Sequence, residues 1–420
     1  MPELATASKM PPADAVPPGL HQLLDPEHLA NPYPLYRSLR EHDPVLWDPM
    51  LCAWVVTSYA GVIEVLHNFS ADRTPTPAQL RSMGMSALEP VAQVMVRQML
   101  FRDGPGHARL RSVCSTDFMS RRVELLRPHI QDIADRLIDR VLPSGRMDVI
   151  ADFANPMPAI VTAELLGVPS ADHEQLKAWS ADFAEMLGNF QHNPDRIARV
   201  VQSVADMTAY FRSAMQQQAR SPRDGLIRLL MDASGGAEGL DDDEIIANII
   251  VTMVGGQETT TNLIGNGLLT LLDHPDELAR LRDDPSIIGP AVEELLRYES
   301  PSQHTGRLAP DDMVLGGKRI RKRQAVMAVM AAGNRDPARF ADPDRLDLTR
   351  PNNRHLAFGW AAHFCFGAPL ARIEGQIAFA TLLRRLRGLA LARCPLVWRE
   401  NLGLRGLAAL PVRFDAQSAS

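Results

Sequence analysis

Cys365 has the setting that most directly suggests chemistry. It lies in Phe358-Gly359-Trp360-Ala361-Ala362-His363-Phe364-Cys365-Phe366-Gly367, and Ala368-Pro369-Leu370-Ala371-Arg372 follows at once. Pro369 suits a first helical turn, where its missing N–H costs nothing. A thiol just before a helix N-terminus feels the positive end of the dipole, which favours the thiolate. Glycines on both sides allow tight turns and let a bulky ligand approach the backbone. The pattern suits an axial ligand to iron. It also fits a structural cysteine buried near a helix start.

A second group is Val254-Gly255-Gly256-Gln257-Glu258-Thr259-Thr260-Thr261. It sits in the middle of a long helical pattern, yet it is a poor helix interior. Each Gly costs up to about 1 kcal/mol relative to Ala, and Thr is β-branched. A long buried helix that keeps such residues serves something besides packing. The glycines give room for a ligand against the backbone. A carboxylate and a hydroxyl beside that opening can pass protons and steady bound oxygen. A kinked core helix is the plain alternative.

Two further pairs share helical faces. His107 and Arg111 are four apart, so together they could grip a carboxylate, or simply form a solvated basic face. Glu294 and Arg297 are three apart and can form an ion pair, worth roughly 0–1 kcal/mol if exposed.

These groups need long helices and a few strands to position them. A helix is expected from Pro34 to about Glu41, paired strands at Val45–Trp47 and Ala53–Thr57, and a helix at Tyr59–Leu66. Pro105 and Gly106 mark a turn before the helix carrying His107. Helices follow from Pro128 to about Val141, from about Pro158 to Leu166, and on through about residue 218. The longest runs from Asp241 to about Asp273, with acids at its start. Met313–Leu315 and Arg319–Ile320 flank the turn Gly316-Gly317, and Gln324–Met330 is a further strand. Arg321-Lys322-Arg323 reads as a solvated basic turn. A last helix follows Cys365 up to Gly388, and Leu402–Val412 reads as a C-terminal strand turn. The fold class is mainly α with small β-sheets.

The chain has 420 residues, 45% hydrophobic, enough for a large core, and a formal net charge of −6. Without a whole-protein basic signal, nucleic acid is not an expected partner. Residues 1–20 read as a disordered lead-in, and 21–415 as one domain. The most apolar run, Ile245–Leu272, is interrupted by Glu258 and several Asn, so no membrane anchor is expected. The four cysteines are scattered with no CxxC pair. That argues against zinc and a disulfide scaffold, and for a reducing cytoplasm.

The decapeptide around Cys365 resembles the haem-ligand loop of the cytochrome P-450 superfamily, Phe-Gly-x-Gly-x-His-x-Cys-x-Gly. Phe358, Gly359, His363, Cys365 and Gly367 match, and Ala361 replaces the usual second Gly. Gly255–Thr259 resembles the family's Ala/Gly-Gly-x-Asp/Glu-Thr, and His107/Arg111 and Glu294/Arg297 resemble two weaker family pairs in the right order. The resemblance runs from about residue 25 to the last strand. It implies a triangular prism-like domain with haem b buried between the long central helix and the Cys loop.

Carried over, Cys365 binds the iron. Glu258 is the acid of a proton relay, and Thr259 the hydroxyl that supports dioxygen activation and suppresses loss of peroxide. Gly255 and Gly256 shape the oxygen groove. His107, Arg111, Arg307 and His355 are the propionate candidates. Arg345 completes the Glu294/Arg297 pair, and Gln303 to Thr305 lie near substrate. Phe183, Met186, Leu187 and Phe190 are candidates to line the channel, with the tip near Gly406 and Leu407 reaching toward substrate. The implied activity is that of a cytoplasmic haem-thiolate monooxygenase, which hydroxylates or epoxidises an apolar small molecule, such as a secondary metabolite or a carrier-protein-bound substrate. Electrons would come from ferredoxin and ferredoxin reductase, or flavodoxin, with Arg109 and Arg372 as candidates to meet the donor. The alternatives are a peroxide-driven or oxidative-coupling enzyme, and a non-catalytic haem sensor.

Overall fold

The computed structural model describes residues 17–116, 118, 120–188, 194–234 and 239–416. Most of the expected lead-in lies outside these residues. The packed chain starts at Leu20, which is fully buried, and not after it.

The architecture is mainly helical with small sheets. The helix Asp242–Asp273 runs through the core, and residues all around it are buried. Its start is fixed by a reciprocal cap: the Glu244 N–H donates to the Asp241 carboxylate at 2.7 Å, and Glu244 reaches back to the Asp241 N–H. Such a box satisfies two donors that the first turn leaves open. The helix Ala368–Arg385, which follows Cys365, packs against it closely. A Cβ on Gly267 would lie 2.5 Å from the Phe379 ring, so only glycine fits at that crossing.

A four-stranded sheet orders its strands Val45–Asp48, Ala53–Val56, Ala325–Ala328 and Thr305–Leu308. The outer pairings are antiparallel and the middle one is parallel, with Arg307 opposite Val326. This sheet is what carries Arg307. The hairpin Met313–Leu315/Lys318–Ile320 turns on Gly316 and Gly317, both at positive φ, as a tight two-residue turn requires. Arg146–Asp148, Pro411–Arg413 and Ala390–Leu391 form a third sheet.

Glu294 and Arg297 are not an exposed pair. Both are fully buried, and Arg297 Nε and Nη2 donate to the two carboxylate oxygens at 2.7 and 2.8 Å. The second arginine at Glu294 is Arg350, at 3.1 and 3.2 Å, and not the expected Arg345. Arg345 gives only its backbone carbonyl, while its side chain turns out to Asp347. The C-terminal tip also differs from expectation. Leu407 is buried in the core, and Gly406 lies so close to Asn262 that a Cβ would meet its amide at 1.9 Å. The tip clamps the central helix; it does not reach into open space.

Candidate active site

The Cys365 loop folds back on itself. The Cys365 N–H donates to the Phe358 carbonyl at 2.9 Å, and the Gly359 N–H to that of Leu356 at 2.8 Å. Arg372 lies 4.7 Å over the Phe358 ring. The backbone N–H groups of Gly367 and Ala368 at the helix start lie near enough to the sulfur to favour its thiolate, and that of Ala368 donates to the Cys365 carbonyl at 3.4 Å. A Cβ on Gly367 would sit 3.7 Å from it, so glycine leaves the sulfur open. Cys365 is exposed, yet protein surrounds it closely enough that burial is the largest influence on its thiol. The two facts agree if the sulfur faces a space inside the molecule. Burial pushes the thiol above its ordinary value, against the pull of those two N–H groups and of Arg111. The helix start alone therefore does not make a thiolate here; a bound metal cation would have to supply the rest.

Ala361 adopts φ +57, the left-handed region. An L-residue there costs roughly 1–2 kcal/mol that glycine escapes. Ala361→Gly is expected to raise stability by about 1 kcal/mol, read as a higher midpoint in urea unfolding. An unchanged or lower midpoint would refute the strain.

In the central helix, Gly255 is exposed although its predecessor Val254 is buried, and a Cβ there would meet nothing within 4 Å. Thr259, four residues on and so on the same face, donates its hydroxyl to the Gly255 carbonyl at 2.8 Å. Gly256 has a different job from the one expected: a Cβ there would press on Thr162 Oγ1 at 3.0 Å, so it allows helix packing. Glu258 points away from this opening. It is buried, with one oxygen paired to Lys177 and the other 2.6 Å from Arg399.

One cluster collects cations. The rings of His107 and His363 lie 4.2 Å apart, and His363 Nε2 is 3.3 Å from Asp103. Arg111 donates to the Phe364 carbonyl at 2.5 Å. Arg307 is buried, and its Nε has no partner among the described residues. Burial holds its guanidinium down at about 10. Burial and then the Arg307 charge hold Arg73 at about 9. Burial and then His107 and Arg307 lower His363 to about 4. Asp103 is the carboxylate whose charge acts on these groups, and it also accepts from Ser70 and Ala71. The guanidinium groups of Arg73 and Arg307 crowd one acid, with an Arg307 nitrogen unpaired among the described residues, which fits a ligand that brings its own carboxylates. Haem, with two propionates, is such a ligand.

His355 is not part of this cluster. Its Nε2 faces Glu293 at 3.3 Å, and its Nδ1 accepts from the Ala357 N–H. Burial would raise the Glu293 carboxyl, but His355 and Arg372 hold it down at about 2. Arg372 is thus engaged at 2.7 Å, and Arg109 is held by Glu244, also at 2.7 Å, so neither is a ready contact for a donor protein. Gln303 is tied to Tyr36 and Ser300, and Phe183 is core. Met186 and Leu187 are half-buried against the core, and Phe190 lies outside the described residues. Sequence pattern does not pick out Arg73, because it sits in a stretch of irregular backbone with no periodicity.

Glu374 is a buried acid between the two helices. Burial pushes its carboxyl up to about 8, against a hydrogen bond with Thr260. The folded state therefore holds this proton more tightly than the unfolded chain, whose ordinary value is 4.5. The resulting stability is full below about 4.5 and is lost as pH rises through about 8. Between about pH 5 and pH 8, Glu374→Gln is expected to gain roughly 2–4 kcal/mol on the parent, because glutamine cannot ionise. Parallel pH curves of unfolding free energy would contradict this.

The family model that matches residues 86–391 is that of cytochrome P450. The biotin biosynthesis cytochrome P450 of Bacillus subtilis is 38% identical, covering 93% of this chain and 98% of its own length. The cytochrome P450 monooxygenase PikC of Streptomyces venezuelae is 38% identical, covering 93% of each chain. The crystal structure of P450BioI in complex with a hexadec-9Z-enoic acid-ligated acyl carrier protein superposes with a TM-score of 0.87. It is 37% identical and covers 93% of this chain and 99% of that one. With its cysteine loop, long central helix and a basic cluster suited to propionates, the chain belongs to the cytochrome P450 family and is a haem-b-dependent, haem-thiolate monooxygenase.

Proposed function

We propose that this P450 uses dioxygen and two electrons, delivered singly by a ferredoxin with its reductase or by a flavodoxin, to hydroxylate or epoxidise an apolar small molecule. The observation that carries the reading is the opening at Gly255 with the Thr259 hydroxyl on the same face. Cys365 would hold the iron, and His107, Arg111, Arg307, His363 and Arg73 would hold the propionates. When bound, haem b supplies an iron whose thiolate ligand favours O–O cleavage.

Thr259 anchors its proton on the Gly255 carbonyl, and its oxygen is left as an acceptor toward the opening. A water or substrate hydroxyl held there would be oriented for proton transfer. Glu258 is the proton reserve behind it. With both oxygens on cations, it must release Lys177 or Arg399 before it can turn to Thr259. We place the enzyme in the cytoplasm, where scattered cysteines stay reduced. Among the described residues no helix is long and apolar enough to cross a membrane. The acyl-carrier complex of P450BioI supports including carrier-bound acyl chains among the substrates, beside secondary metabolites.

Thr259→Ala tests the dioxygen route. Haem and substrate binding should persist, while product formed per electron pair falls about tenfold, some 1.4 kcal/mol in the competing barriers, and hydrogen peroxide rises to match. Full coupling in this variant would refute the role given to Thr259 in dioxygen activation.

A further inference from the structure

The segment Lys318-Arg319-Ile320-Arg321-Lys322-Arg323 carries five cations in six residues, on a chain of net charge −6. Three of them are paired at the surface: Lys318 with Asp43, Arg319 with Asp312 and Lys322 with Asp311, each at 2.8–2.9 Å. Arg321 and Arg323 are exposed and have no ion-pair partner among the described residues. Arg323 also stands at φ +67, where glycine would be at ease and an arginine is strained. The turn itself gives no reason for a long cation at that position. Its backbone is closed by bonds any residue could make, from the Arg323 N–H to the Ala309 carbonyl and from the Gln324 N–H to that of Arg321.

Apolar side chains protrude beside this turn. The Gln324 side-chain oxygen accepts both the Arg321 N–H and the Trp54 indole N–H, so the turn touches the Trp54 ring. Trp54 packs edge-on against Trp47, 5.6 Å away and 39% exposed. Met50, in the turn between their two strands, is 63% exposed, and Val314, opposite Arg319 in the next hairpin, is 67% exposed. The two hairpins are neighbours, because a Cβ on Gly316 would lie 2.7 Å from Val45.

We propose that this basic turn and the apolar side chains around it are a docking surface for an anionic phospholipid layer. The cations would sit among the headgroups while Trp47, Met50 and Val314 reach the acyl boundary. Stable peripheral binding takes two signals, and here a polybasic turn lies beside apolar protrusions. A protein interface would instead bury one contiguous apolar centre. These side chains project singly from two strands and a turn, which suits lipid better than an acidic protein. An enzyme held at such a surface meets apolar substrates where they accumulate. The inference is independent of the dioxygen reading.

The test is co-sedimentation of the full-length holoenzyme with vesicles. Binding is expected to vesicles of phosphatidylcholine and phosphatidylglycerol in equal parts, to weaken with salt, and to be lost with phosphatidylcholine alone. Combining Arg321→Gln, Lys322→Gln and Arg323→Gly should weaken it roughly fivefold per charge removed, about a hundredfold in all. The same variant should melt no lower than the parent, since glycine relieves position 323. Trp47→Ser should weaken binding without changing its salt dependence. Equal binding to both vesicle types, or undiminished binding by the triple variant, would overturn the proposal. So would retention on immobilised polyglutamate without binding to vesicles, which would assign the surface to an acidic protein.

Discussion

Cys365→Ser is expected to fold, to bind haem weakly if at all, and to lose the strongly red-shifted Soret band of the reduced, carbon monoxide-bound protein. The geometry separates loss of the ligand from loss of the fold. In the metal-free chain burial keeps the thiol protonated, so no native ion pair depends on its charge. The Gly367 and Ala368 N–H groups near the sulfur can favour a hydroxyl oxygen instead. What serine cannot do is give a soft, electron-rich ligand to iron. The control is Cys114→Ser. Cys114 is fully buried, and burial holds its thiol up to about 12. That change should cost roughly 1–3 kcal/mol for a hydroxyl placed in an apolar core, with the spectrum intact. If Cys365→Ser kept the red-shifted band, or if Cys114→Ser abolished it, the ligand would be misassigned.

Arg297→Lys is expected to be the most damaging substitution outside the haem loop. Arg297 has no exposed surface and satisfies five acceptor contacts: both oxygens of Glu294 and the carbonyls of Asn334, Pro343 and Arg345. Its guanidinium also lies 5.3 Å from the Phe340 ring centre. Lysine keeps the charge but not the planar fork, so at least two of those acceptors lose their donor. Breaking a buried pair by changing one partner costs roughly 3–5 kcal/mol, against a total of about 5–15 kcal/mol for a typical protein. Urea unfolding would show the loss, and expression would yield protein largely without haem. Glu294→Gln should fall short of this, because an amide oxygen at the Oε1 position can still accept from Arg297 Nη2 and the Asp347 N–H. A midpoint for Arg297→Lys within error of the parent would refute the role given to the buried pair.

Periodicity and caps carried most of the helical architecture from the sequence. The central helix begins where the acids predict, because Asp241 and Glu244 form their box from local residues alone. Spacing also placed His107 with Arg111 and Glu294 with Arg297. It could not say which face is buried, since that depends on what packs against it. Glu294/Arg297 was therefore legible as a pair, while its burial was not. Long-range partners were the least legible. Arg350 and Arg345 lie in one Pro/Asp-rich meander, and only the folded backbone decides which guanidinium points inward. Arg73 reaches the charge cluster from irregular chain, and His355 leaves it because Glu293 attracts it. The two glycines of the central helix look equivalent in sequence. They separate only because Thr162 stands over one and open space over the other.

The two cations on Glu258 come from different parts of the chain, Lys177 from the helix His173–Gly188 and Arg399 from the C-terminal segment. Either alone leaves the buried carboxylate a charged neighbour. Loss of one is thus the milder change, because the other cation still answers the charge, while loss of both leaves a bare charge in the core. Such a pair behaves as a genetic backup. Across descendants of this chain the two positions would drift one at a time, each free to vary only while the other is kept, and a scan of single substitutions would undervalue both.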